Sequence, residues 1–236
     1  MKWEELKVYR PLTKEELKPA FKDFTKIIAD NLGHFGFQLK GRKIQRIVND
    51  VLQTIHIDTR GSWMGTSENF KIEISVTPYC NKIFIEGELS GVKTIEEVIP
   101  KIRNHYRVTQ EYTLLADFIT RKIIDHVLDY FDKFDSTQKI IKGASQFPTN
   151  DMGQRNDAVI IFSELKNHLN KHSEREIDRI LNHWDKHSPN GFFSDYLDDL
   201  RFFRQKVKAG DWDGVDEKLK TDEEQVLKKL KIKQSR

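Results

Sequence analysis

The sequence predicts an α+β protein: an N-terminal helix, an antiparallel meander of four to five strands with covering helices, and an all-helical C-terminal part. Three observations carry that expectation. Apolar residues recur every three to four positions from Leu17 to Leu32, the period drops to two between Phe35 and Leu89, and it returns to the helical value after Gly91.

Thr13 and Glu16 form a capping-box pair, followed by Leu17, Phe21, Phe24, Ile28 and Leu32 on one helical face before Gly33 ends the run. Gly41-Arg42 separates short apolar runs at 37–39 and 44–48. Asn49-Asp50, between Val48 and Val51, suits a tight hairpin because both residue types tolerate a positive φ. Val51, Gln53, Ile55 and Ile57 share one face of the next strand. Phe70, Ile72, Ile74 and Val76 alternate in another that stops before Pro78, and residues 83–89 supply one more. A second capping box at Thr94 and Glu97 opens a helix expected to run through Val98, Ile99, Ile102 and Tyr106. Leu115, Ile119, Ile123, Val127, Tyr130 and Phe131 mark a long helix placed to cover the sheet, and Phe134 and Ile140-Ile141 continue after a break at Asp135-Ser136.

Residues 143–154 hold Gly, Ser, Pro and Asn with few apolar side chains, and divide an α+β domain at 1–142 from a helical bundle at 155–236. In the bundle, Ala158, Ile161, Phe162, Leu165 and Leu169 form one stripe, and Ile177, Ile180, Leu181 and Trp184 another behind a capping box at Ser173 and Glu176. Two more helices follow, through Phe193 to Val207 and, after Gly210, through Val215 to Leu230. No signature repeats at a fixed period, so a small bundle is expected rather than a solenoid.

Composition narrows the class without naming a partner. The 236 residues are 37% hydrophobic and 33% charged, and Lys+Arg of 40 against Asp+Glu of 37 leaves a net charge of +3. That near-balance argues against a dedicated nucleic-acid binder, and nucleic-acid binding ranks as a third reading, behind a protein-interaction module and a metal site. Cys80 is a lone thiol, which suits a reducing compartment and points to the cytoplasm. The amino terminus lacks the apolar stretch of a signal peptide, and no run approaches the ~20 apolar residues of a membrane helix, so no membrane association is expected.

Two places invite a functional reading. The loop Arg60-Gly61-Ser62-Trp63-Met64-Gly65 sets a Trp and a Met between glycines, and Arg60, Trp63 and Met64 are the candidate binding residues for a protein partner. The plainer reading has Trp63 covering a sheet edge. In the helical half, His168 with His172 and His183 with His187 stand at i and i+4, a spacing that chelates a divalent ion, and Glu164 extends the row. The plainer reading makes these histidines boundary residues of the apolar stripes. The basic residues Lys40, Arg42, Lys43, Arg46 and Lys71 lie near Phe35 and Phe37, but those aromatics fit the apolar alternation and are not free to stack on bases. Asp198-Asp199 and Asp211 with Asp213 read as exposed face and helix N-terminal charge. No phosphate loop, nucleophile elbow or paired Cys spacing occurs, and no catalytic residue or cofactor is assigned.

The amphipathic helix leading to Phe35-Gly36-Phe37, the basic Lys40-Gly41-Arg42-Lys43, the strand Val51-Leu52-Gln53-Thr54-Ile55, the loop with Ser62 and Trp63, and the strand at 70–76 resemble an uncharacterised, mainly bacterial family, number 4304 among the domains of unknown function. A further echo is Val127-Leu128-Asp129-Tyr130-Phe131-Asp132-Lys133-Phe134, and the family's usual Gln at the end of the apolar strand gives way here to Ile57-Asp58-Thr59-Arg60. The resemblance implies structural elements and transfers no site. Helix, meander and covering helix also resemble secretion-chaperone and toxin-immunity architectures. The expected function is a non-enzymatic interaction module, with a metal-binding protein or metal-dependent hydrolase on the His pairs as the alternative.

Overall fold

The computed structural model describes residues 11–59, 69–80, 92–103, 105–146, 157–187 and 194–231. Helix α1 (Lys14–Asn31) begins at its capping box: Thr13 Oγ1 accepts from the Glu16 N–H at 3.3 Å, and Glu16 Oε2 accepts from the Thr13 N–H at 2.9 Å. Two otherwise orphaned donors are thereby satisfied. Phe21, Phe24 and Ile28 form its buried side.

The sheet is the expected meander. Strands β1 (Gln38–Lys40), β2 (Lys43–Val48), β3 (Val51–Asp58), β4 (Asn69–Pro78) and β5 (Val92–Thr94) pair in sequence order, all antiparallel, and β6 (Tyr106–Arg107) pairs with the start of β4. The strand expected at 83–89 lies outside the described residues. Cross-strand partners share a face. One face therefore carries Ile44, Ile55 and Ile74 in a row, with Ile57 beside Ile72 and Phe70 beside Tyr106. Phe24 and Phe21 pack on Phe70, with ring centroids at 4.9 and 5.7 Å, so this is the face that α1 covers.

After β5 the chain departs from expectation. Thr94 does open a helix, but α2 (Ile95–Val98) is a single turn, and Ile99 is already extended at φ −112°, ψ 108°. Ile99 precedes Pro100, whose ring disfavours helical geometry in the residue before it. Tyr106 is freed to pair as strand and stack on Phe70 at 5.6 Å. Helix α3 (Tyr112–Lys122) continues through a π-helical turn at Ile123–Val127 into α4 (Leu128–Lys133), and Ser136 then caps α5 (Thr137–Lys142).

Helices α6 (Asp157–Lys166), α7 (Ser173–His187), α8 (Ser194–Ala209) and α9 (Trp212–Leu230) complete the chain. Their apolar residues are continuous with the first half: Val159, Phe162, Leu165 and Phe203 belong to the same buried cluster as Phe24 and Phe131. A smaller cluster joins Val226 of α9 to Ile47, Leu52 and Tyr79. The segment expected to separate two domains falls largely in 147–156, outside the described residues. Among the described residues no helix is long and apolar enough to cross a membrane.

Candidate functional site

The connections of β1 to β4 are of two kinds. Gly41-Arg42 joins β1 to β2 and Asn49-Asp50 joins β2 to β3, each a two-residue turn, with Gly41 at φ 63° and Asn49 at φ 50°. Asp50 keeps a negative φ and does another job. Its carboxylate accepts from the Thr137 N–H at 2.9 Å and from the Thr137 hydroxyl, which pins the turn to the start of α5. Asn167 Nδ2 donates to the same hydroxyl at 2.8 Å, and the bond carries the link on to the end of α6. The third connection is unlike these: ten residues, 59–68, separate Asp58 from Asn69. Arg60, Trp63 and Met64 belong to it and lie outside the described residues.

Below that connection, the second face of the β3–β4 hairpin carries charge. Lys71 Nζ stands 2.9 Å from Glu73 Oε1 and 3.8 Å from Asp58 Oδ2, and His56 Nδ1 lies 3.1 Å from Glu73 Oε2. The register places these groups side by side, His56 opposite Glu73 and Asp58 opposite Lys71. The side chains of Glu73 and Asp58 are 8% and 4% exposed. Burial alone would raise the Glu73 pKa, but hydrogen bonds with His56 and Lys71 and the adjacent ammonium outweigh it and hold the carboxyl at about 2. Glu73 is thus a fixed anion at neutral pH, ill-matched to proton transfer there. Deeper in the same face, Gln45 Nε2 donates to Thr54 Oγ1 at 3.0 Å, and Ser75 Oγ is buried without a hydrogen bond among the described residues. The alternation Ile55-His56-Ile57-Asp58 against Lys71-Ile72-Glu73-Ile74 was the signal for this array, since each polar residue faces an opposite or hydrogen-bonding partner across the pair.

The histidine pairs do not form as spaced. Helix α6 ends at Lys166, and His168 takes a left-handed φ of 52°. The Leu169 N–H returns to Glu164 O at 2.9 Å and the His168 N–H to Leu165 O at 3.2 Å, closing a Schellman-type end. His168 Nε2 lies 2.9 Å from Asp216 Oδ1 and its ring stacks on Trp212, centroids 5.1 Å apart. His172 precedes α7, so one turn of helix never separates the two rings. Glu164, 1% exposed, is also engaged: its Oε2 accepts from the backbone N–H of His172 at 2.9 Å and of Ser173 at 2.7 Å. This bond replaces the expected Ser173–Glu176 box, and Glu176 turns instead to Arg179 at 2.6 Å. His183 is exposed on α7, and the side chain of His187 lies outside the described residues. Among the described residues no group of three or more His, Cys, Asp and Glu could hold a metal ion.

Other singled-out charges serve the fold. Arg46 folds back, donating to Gln53 Oε1 at 2.7 Å and Phe35 O at 3.0 Å with its guanidinium 4.6 Å from the Phe37 ring centroid. Asp211 accepts from the Gly214 N–H at 2.9 Å and caps α9, as its position implied. Asp199 pairs with Lys218 at 3.0 Å, and Lys218 also binds the buried Asp222. Comparison of the chain with family models, curated proteins and solved structures found no match.

Proposed function

We propose that the chain is a non-enzymatic interaction module that engages a protein partner through Arg60, Trp63 and Met64. The observation that carries this reading is the contrast among the connections of β1 to β4. Two hairpins close in two residues, whereas β3 and β4, paired from Val51↔Pro78 to Asp58↔Lys71, are joined by ten. A tight turn would serve the sheet as well, and a longer connection costs additional closure entropy. Long connections on rigid supports are where recognition residues concentrate. Here the support ends in the Asp58–Lys71–Glu73 ion pairs, which tie the two strand ends together where the connection leaves and returns. An indole and a thioether at its centre supply apolar contact area of the kind that anchors protein interfaces.

The test is capture from native lysate of the source cells by the wild-type chain and by Trp63→Ala and Met64→Ala variants, with circular dichroism as the control for folding. The expected result is a specific protein retained by the wild type and lost from Trp63→Ala. A folded Trp63→Ala protein that keeps every partner would overturn the assignment of the loop.

A further inference from the structure

Helix α1 buries one side and carries an ordered row of cations along the flank that borders it. Lys14, Lys18, Lys22 and Lys26 follow one another at four-residue steps and all are exposed. Each step advances about 40° around the helix and about 6 Å along it, so the row winds along one flank for about 18 Å. The acids are disposed differently. Glu16 is turned back on the Thr13 N–H, Asp23 accepts from the Tyr112 hydroxyl at 2.8 Å, and Asp30 pairs with Lys26 at 2.5 Å. On the wheel these three acids fall on the flank away from Lys14, Lys18 and Lys22, with Glu15 alone among the lysines. A fifth cation comes from the sheet: Arg42, exposed in the β1–β2 turn, stands 5.6 Å from the ring centroid of Phe21, on the lysine side of the helix.

We propose that this flank binds the phosphate backbone of duplex nucleic acid without reading its sequence. With Lys26 held by Asp30, four cations, Lys14, Lys18, Lys22 and Arg42, are left to meet phosphates of the duplex. The winding of the row suits a cylinder better than a flat bilayer. A helix that lies on lipid also needs its apolar face for the membrane, whereas Phe21, Phe24 and Ile28 of α1 are buried against the protein's own core. A single strand would call for exposed aromatics to stack its bases, and Phe21, Phe24 and Phe37 are all buried.

The experiment is fluorescence anisotropy of a labelled 30-base-pair DNA duplex of arbitrary sequence, titrated with the full chain at several salt concentrations. Four contacts predict a slope of log affinity against log salt of about −3.6, a loss on the order of 10²-fold between 50 and 200 mM. A Lys18→Gln/Lys22→Gln chain, both changes at exposed helical positions, reduces that slope by about 2, whereas Lys220→Gln/Lys228→Gln on α9 leaves it unchanged. Absence of duplex binding at 50 mM salt overturns the proposal, as does an unchanged slope in the α1 variant. So does tighter binding to vesicles of phosphatidylserine and phosphatidylcholine than to the duplex, which would assign the flank to a lipid surface.

Discussion

Helices α1 and α7 begin by opposite means. The first turn of α1 is capped by Thr13 and Glu16, both exposed and both its own neighbours in sequence. The first turn of α7 is capped by Glu164, a buried carboxylate that belongs to the preceding helix. Water can replace the first cap when it is lost, and cannot readily replace the second. Local bonds thus define the first helix, whereas the second is defined by the way α6 folds against it.

The sharpest way to break that comparison is Glu164→Ala. It strands the N–H donors of Ser173, which is buried, and of the half-buried His172 just before it, and should cost about 4 kcal/mol of unfolding free energy in urea titration, since bonds to a charged acceptor contribute about 1.5–3 kcal/mol each. A loss below about 1 kcal/mol would place α7 in the same class as α1.

Acid titration gives the next effect. The folded-state pKa of Glu73 lies at about 2, below its ordinary 4.5, so the unfolded chain takes up the proton first as pH falls. The stabilisation is complete above pH 4.5, is lost between 4.5 and about 2, and amounts to about 3 kcal/mol for this group. Glu73→Gln should flatten that part of the stability–pH curve, and an identical acid limb in the variant would count against the ion pairs with Lys71 and His56.

Thr13→Ala removes an exposed cap and should cost about 1 kcal/mol, measured by the same titration. His168→Gly should change stability by less than about 0.5 kcal/mol, because relief of the left-handed backbone offsets the loss of an exposed ion pair. A large destabilisation would mean that the Trp212 stack and Asp216 hold the end of α6 more strongly than their exposure implies.

Features built from neighbouring residues were legible before the structure: the α1 box, the Asn49-Asp50 turn, the strand faces and the Asp211 cap. Pro100 also carried its message in the sequence, since the residue before proline resists helix, but the apolar spacing through Ile102 to Tyr106 outweighed it. The end of α6 was hidden because no glycine marks it. His168 takes the left-handed position, and the stripe from Ala158 to Leu169 reads straight through. The Glu164 cap could not be seen at all, because Ser173 and Glu176 satisfy the local rule and only the packing of α6 on α7 overrides it. At the β3–β4 hairpin, the charged array was written in the alternation, but its burial depended on the assembled sheet.

The most direct measurement replaces residues 61–68 with Asn-Gly, a two-residue turn that extends the existing register by closing on Arg60 and Asn69. If the long connection serves recognition and not the fold, the shortened chain keeps its circular dichroism and its urea midpoint and no longer captures the partner that the wild type retains. A shortened chain that unfolds, or one that keeps the partner, would contradict it.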